Sequence, residues 1–295
     1  MLLSCVNPRS AAIFALIVGA AVAVIPMTRV RAEGPNIKTT HLMAIGICPP
    51  WKPVDTEACR RSVDAIEAAL AERLGVDDRN VTTLVNDAAT TEGLKAAFAG
   101  LSGLGADDRL IIYANMHAGA IDPAAEVGPD NDVFVLWTKE KPAAVQFAVA
   151  EGDWIRASDF AGWVHALAAG EVIFILDACE SGAVTPLFIE AHPLNDATRA
   201  EAVIVSAAAS QFANFAADQS MALYSQQLAQ SIALGRGTFQ QAADLAASQT
   251  HTAAIAICDP QKSAMEQAGL DPLSCAQQPT THDPDALLTR IVLHD

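Results

Sequence analysis

Apolar residues in this chain fall into short unbroken runs, separated by stretches in which they recur at helical spacing. The clearest run is residues 172–176, V-I-F-I-L, bounded by Gly170 on one side and by Ser181 and Gly182 on the other. A β-branched and aromatic run with no polar alternation predicts a strand buried on both faces, as in the middle of a parallel sheet. Residues 41–47 (H-L-M-A-I-G-I), 81–85, 109–115 (R-L-I-I-Y-A-N) and 202–205, ending at Ser206, read as further strands. Between them, Thr56 to Leu74 places Val63, Ile66, Leu70 and Leu74 on one helical face, with Gly75 as the stop. A second helix starts at a Thr91 cap and runs to about Leu101. A third starts at a Ser158 cap and carries His165 as a surface or satisfied core residue. Two more, 221–234 and 238–248, are separated by Gly235 and Gly237. The alternating runs 133–137 and 145–149 predict a small hairpin inserted after the third strand. From Cys258 onward the pattern is irregular, with a last strand at 287–293. Strands alternating with helices define an α/β fold with a right-handed, mostly parallel sheet. No repeat or low-complexity linker divides it.

The N-terminus changes this picture. Arg9 precedes an uncharged apolar run at 11–25, Pro26 breaks it, and Val30-Arg31-Ala32 resembles a small-residue cleavage site. The run is short for a membrane span, so residues 1–32 read as an export signal and 33–295 as the mature domain, periplasmic or secreted. Membrane contact is expected only if the segment is retained as an anchor. The 295-residue chain carries a formal charge of −16, which argues against nucleic acid as a partner and is accounted for by a solvated acidic surface.

Export bears on the cysteines. Without Cys5, five remain: Cys48, Cys59, Cys179, Cys258 and Cys275. An odd count leaves one thiol over. Pairing Cys48 with Cys59 and Cys258 with Cys275 across local loops is the preferred one of three pairings, and it leaves Cys179, the one on a core strand. Each bridge would stabilise by about 3 kcal/mol in the chain-entropy model. No C-x-x-C pair and no zinc-type spacing occurs, so neither a metal site nor a cofactor is expected. Glycine patterns for dinucleotide or P-loop binding do not follow a strand, and the Gly-x-Ser-x-Gly elbow of serine hydrolases is missing.

Two core strands end in reactive side chains, His117 and Cys179. Parallel strands deliver both to the same sheet edge, where open α/β sheets gather their ligands. Imidazole beside a thiol withdraws its proton and stabilises the thiolate. Attack on a carbonyl also needs N–H donors for the oxyanion, and the amides of Cys179, Ala118 and Gly119 are the candidates. The small residues Ala118, Gly119, Ala178, Ser181 and Gly182 would let a substrate backbone approach.

With D-A-C-E-S-G at 177–182 and an apolar strand ending in His117-Ala118-Gly119, the chain resembles the caspase-like cysteine peptidases, the superfamily of legumains, metacaspases, gingipains and caspases. The Cys-Glu-Ser-Gly form is most similar to the legumain branch. The V-I-V-S-A-A segment at 203–208 resembles the strand that follows the nucleophile, and the likeness covers roughly residues 40–250, leaving an irregular cysteine-containing tail at about 256–295. The resemblance implies a three-layer α/β/α sandwich and a cysteine endopeptidase acting on peptide or protein substrates. It implies Cys179 as nucleophile, His117 as general base, and Asp177, Asn115 and Ser206 around the pocket for the substrate side chain before the scissile bond. An acid there suits basic or amide side chains. The family has glycine directly after the histidine, whereas here Ala118 intervenes before Gly119. A catalytically inactive peptide- or partner-binding domain, and a transpeptidase or ligase using the same dyad, stay open as alternatives.

Overall fold

A computed structural model describes residues 37–51, 56–121, 131–139, 154–189, 199–235 and 237–294. The expected export segment and the 145–149 run lie outside the described residues. In chain order the strands and helices begin β1 Thr39–Gly46, α1 Glu57–Leu74, β2 Val81–Val85, α2 Thr91–Gly100, β3 Asp108–Asn115, β4 His117–Ala120 and β5 Asp132–Val135. They continue β6 Trp154–Arg156, α3 Ala157–His165, β7 Glu171–Asp177, α4 Thr185–Ile189, β8 Ala200–Val205, α5 Leu223–Leu234, β9 Gly237–Thr238 and α6 Phe239–Cys258. The tail adds α7 Lys262–Gln267, β10 Thr280–His282, α8 Leu287–Arg290 and β11 Val292–Leu293.

The main sheet has the order β10-β8-β7-β3-β1-β2. All neighbours run parallel except the edge strand β10, which is antiparallel to β8. Side chains alternate across each central strand because the strand period is two. Val172, Phe174 and Leu176 of β7 join Leu110 and Ile112 of β3 in one core, packed under Leu94 and Phe98 of α2, Phe160 and Val164 of α3 and Phe188 of α4. Ile173, Ile175, Ile111 and Tyr113 face the other way, into a core with Val63, Ile66 and Leu70 of α1, Leu228 and Ile232 of α5 and Phe239 of α6. Helices therefore cover both faces, which makes a three-layer α/β/α sandwich with a mostly parallel sheet. The unbroken apolar runs are explained: no face of these strands meets water, so no polar alternation is tolerated.

Several local expectations are corrected. The cap of α2 is Thr90, whose hydroxyl accepts from Gly93 N–H; Thr91 is the first helical residue. Ser158 lies inside α3, which begins at Ala157 after Arg156 with no side-chain cap. Residues 132–135 form the middle strand of a three-stranded antiparallel sheet, β4-β5-β6, with His117–Ala120 and Trp154–Arg156 on either side. Helix α6 continues past residue 248 to Cys258, held by a capping box of Thr238 and Gln241 and by buried small residues such as Ala243, Ala246, Thr250 and Ala254. Such small residues give a weak apolar signal. Residues 287–290 are a helical turn, because the Asp283 carboxylate accepts from Leu287 N–H at 2.7 Å and Leu288 N–H at 2.8 Å. Disulfides join Cys48 to Cys59 and Cys258 to Cys275, with Cα atoms 5.6 and 5.5 Å apart. Among the described residues no helix is long and apolar enough to cross a membrane.

Candidate active site

Strands β3 and β7 stay in register to their ends, where Asn115 pairs with Asp177. Two bonds tie these ends together: Met116 N–H donates to Asp177 O at 3.2 Å, and Asn115 Nδ2 donates to the same oxygen at 3.1 Å. On the flanks, Ile47 N–H donates to Asn115 O at 2.8 Å and Ser206 N–H to Leu176 O at 2.9 Å. The carboxyl ends of β1, β3, β7 and β8 thus form one edge. His117 stands two residues beyond Asn115, and Cys179 two beyond Asp177.

Past that edge the chain departs from the expectation of a single third strand. His117 is the first residue of β4, which leaves the main sheet and pairs antiparallel with β5, His117 opposite Val135. Cys179, Ala118 and Gly119 line one cavity of about 10 Å³, together with Asp132, Phe134 and Ser181. That is room for about one water. His117 is not among its lining residues, and both His117 (6% exposed) and Cys179 (4%) are buried. The structure therefore brings Cys179 to the backbone that follows His117.

The turn after Cys179 is held from behind. Glu180 adopts a left-handed φ of 55°, rare for a residue with a side chain, and its N–H donates to Gln211 O at 2.7 Å. Ser181 Oγ donates to Ala207 O at 3.2 Å and accepts from Ala207 N–H at 3.0 Å. Gly182 N–H donates to Ala207 O at 2.9 Å. A Cβ on Gly182 would come 2.8 Å from Ala209 N, so the space in front of this glycine belongs to the loop after β8 and not to a substrate. The Ser-Gly of the motif is needed for packing that loop against the turn.

Asp177 is 1% exposed. Its Oδ2 accepts from Ser225 N–H at 3.0 Å and Ser225 Oγ–H at 2.6 Å, and Ser225 Oγ lies 2.5 Å from Tyr113 Oη. Burial pushes the Asp177 carboxyl above the usual range, and hydrogen bonds from Ser225 and Ser206 oppose that rise. Asn115 Oδ1 is buried without a hydrogen-bond partner. Ser206 is fully buried, its Oγ 3.4 Å from Ala178 O. Ser225, Asp132 and Phe134 belong to the site but were not anticipated. Ser225 and Asp132 are separated from the motifs in sequence, and no local pattern marks them.

No described cysteine is free. Cys179 is disulfide-bonded here, but not to Cys48, Cys59, Cys258 or Cys275, which pair with one another. This differs from the expectation of a free thiol at Cys179. Among the described residues no group of histidine, cysteine, aspartate and glutamate could hold a metal ion.

No protein-family model matches the chain, and no curated protein matches it by sequence. Solved structures do match. A Geobacter sulfurreducens protein from a structural-genomics programme is 16% identical, with a TM-score of 0.52, covering 86% of this chain and 98% of that one. Caspase-1 from Spodoptera frugiperda is 11% identical, with a TM-score of 0.48, covering 89% of this chain and 94% of that one. At such identities the likeness to the Geobacter protein is one of fold.

Proposed function

We propose that this chain is an exported cysteine endopeptidase of the caspase-like kind, most like the legumain branch in its motifs. The observation that carries the proposal is the shared cavity of Cys179 with Ala118 and Gly119 at the carboxyl edge of the sheet. A nucleophile and a stretch of backbone able to donate to an oxyanion there meet the first geometric demand of acyl transfer. In the proposed mechanism His117 takes the Cys179 proton, and the thiolate attacks the peptide carbonyl. The oxyanion is held by amides of Cys179 and of the Ala118–Gly119 segment. His117 then protonates the leaving amine and assists water in hydrolysing the thioester, regenerating the thiol. Asp177, Asn115 and Ser206 border the pocket for the preceding side chain. The unpartnered Asn115 Oδ1 and the acid of Asp177 support a side chain that brings N–H donors, basic or amide.

The chemistry needs Cys179 as a thiolate, and the chain lacking residues 1–32 has no sixth cysteine to bridge it. The test uses residues 33–295 without reductant. Alkylation by an iodoacetamide probe is followed across pH, the modified residue is mapped by mass spectrometry, and cleavage of a peptide library is assayed. Rapid labelling of Cys179 below pH 7 that slows in His117→Ala is expected, with turnover abolished in Cys179→Ala. Turnover in His117→Ala should fall by about 10²–10⁴-fold.

The disulfide at Cys179 and the position of His117 outside the cavity lining favour a second reading, a catalytically silent peptide- or partner-binding domain. An ordinary thiol profile, or a Cys179 still bridged in the mature chain, selects it.

A further inference from the structure

A second cavity, of about 350 Å³, lies one strand away from the Cys179 cleft. Residues Trp154–Arg156 of β6 pair with β5, and β5 supplies Asp132, Val133 and Phe134 to that cleft. The cavity is lined by Thr91 and Lys95 of α2, Trp154 and Arg156 of β6, and Asp159 and Trp163 of α3. Its volume is at the lower end of small-molecule sites, enough for one or two rings.

Its chemistry differs from the rest of the surface. Most of the described lysines and arginines in this acidic chain have an anionic or carbonyl partner, from Lys38 with Asp107 to Arg290 with Glu171. Among the described residues only Lys95, Lys139 and Arg156 have no ion pair or hydrogen bond for the charged group. Two of the three line this one cavity. Thr91 opens α2 and Arg156 immediately precedes α3, so the positive ends of two helices add to the same field. Asp159 offsets part of this charge, leaving the side chains of the lining at a net positive charge.

Apolar contact is supplied alongside. Trp154 and Trp163 are both half-buried. Trp163 is braced by Phe98, with ring centroids 5.5 Å apart, and by Phe160 at 6.4 Å. A braced indole at a cavity wall offers a flat surface with little conformational entropy to lose on binding.

We infer that this cavity is a binding site for a planar organic anion, an aromatic carboxylate of one or two rings. The rings lie against Trp154 and Trp163, and the carboxylate takes Lys95 and Arg156. The inference does not depend on the chemistry at Cys179.

The test is calorimetric titration of residues 33–295 with 2-naphthoate. The same-ring alcohol 2-naphthylmethanol and the cation 2-naphthyltrimethylammonium serve as comparisons. One saturable site per chain is expected for naphthoate, with binding at least tenfold weaker for the alcohol and the cation. The Lys95→Gln, Arg156→Gln double variant should lose at least tenfold for naphthoate with an unchanged circular dichroism melt, since both side chains are exposed and unpaired. Lys95→Arg keeps the charge and should retain binding. Absence of a saturable site, equal binding of the alcohol or the cation, or wild-type affinity in the double variant would overturn the proposal.

Discussion

His165 is a histidine whose surroundings disfavour its charged form. Its Nε2 lies 2.8 Å from Leu187 O, and its Nδ1 lies 3.8 Å from Glu201, whose carboxylate pairs with Arg199 at 2.7 Å. Burial pushes its pKa below the ordinary 6.5, the Leu187 carbonyl opposes, and the Arg199 charge lowers it further. Around and below pH 6.5 the unfolded chain therefore binds more protons at this residue than the native chain does. The stabilising contribution is full above 6.5 and is lost as pH falls through the depressed native value. His165→Gln is expected to flatten the fall in urea midpoint between pH 7.5 and 5.5, which equilibrium denaturation at both pH values checks. An unaltered slope would remove His165 as its source. At this scale the place of Asp177 and Cys179 at the end of β7 was legible, because the apolar run before them stops abruptly at a polar residue. The left-handed Glu180 and the Ser225 partner of Asp177 were not, because each answers to a segment distant in sequence.

Among the elements, β7 shows most directly how pattern becomes packing. Phe174 stacks on Phe188 with centroids 4.1 Å apart and meets Phe160 at 5.8 Å, while Phe160 packs edge-on against Phe98 and Phe134. One ring thus joins the central strand to α3 and α4. Phe174→Ala is expected to cost about 3–5 kcal/mol, because the rigid neighbours cannot close the cavity. A urea titration with unchanged slope reads this directly, and a loss under 1 kcal/mol would mean that the aromatic cluster collapses onto the gap. Central strands were readable because burial on both faces writes an unbroken apolar run. The partner of β4 and the existence of β6 were not, because three- and four-residue strands take their identity from pairing.

For the whole molecule, the bridges act on the unfolded chain. Cys258–Cys275 spans 17 residues and ties α6 to the segment leading into β10. Replacing both cysteines by serine should lower stability by about 3 kcal/mol, and the same loss should follow reduction of that bridge alone. Denaturation of the double-serine variant with and without reductant checks it; further loss on reduction belongs to the other bridges.

The α/β class, the order of the central strands in the chain, the location of Cys179 after a doubly buried strand and the local cysteine pairs all follow from local pattern. Burial, helical spacing and short loop closure act between residues near in sequence, and they leave their record there. The sheet order, the turn of His117 into a separate strand, the Ser225 hold on Asp177 and the placing of Lys95 and Arg156 around one cavity with two indoles were decided by the tertiary structure. Each depends on which distant segments the three packed layers bring to one edge. No residue type or spacing along the chain encodes that proximity.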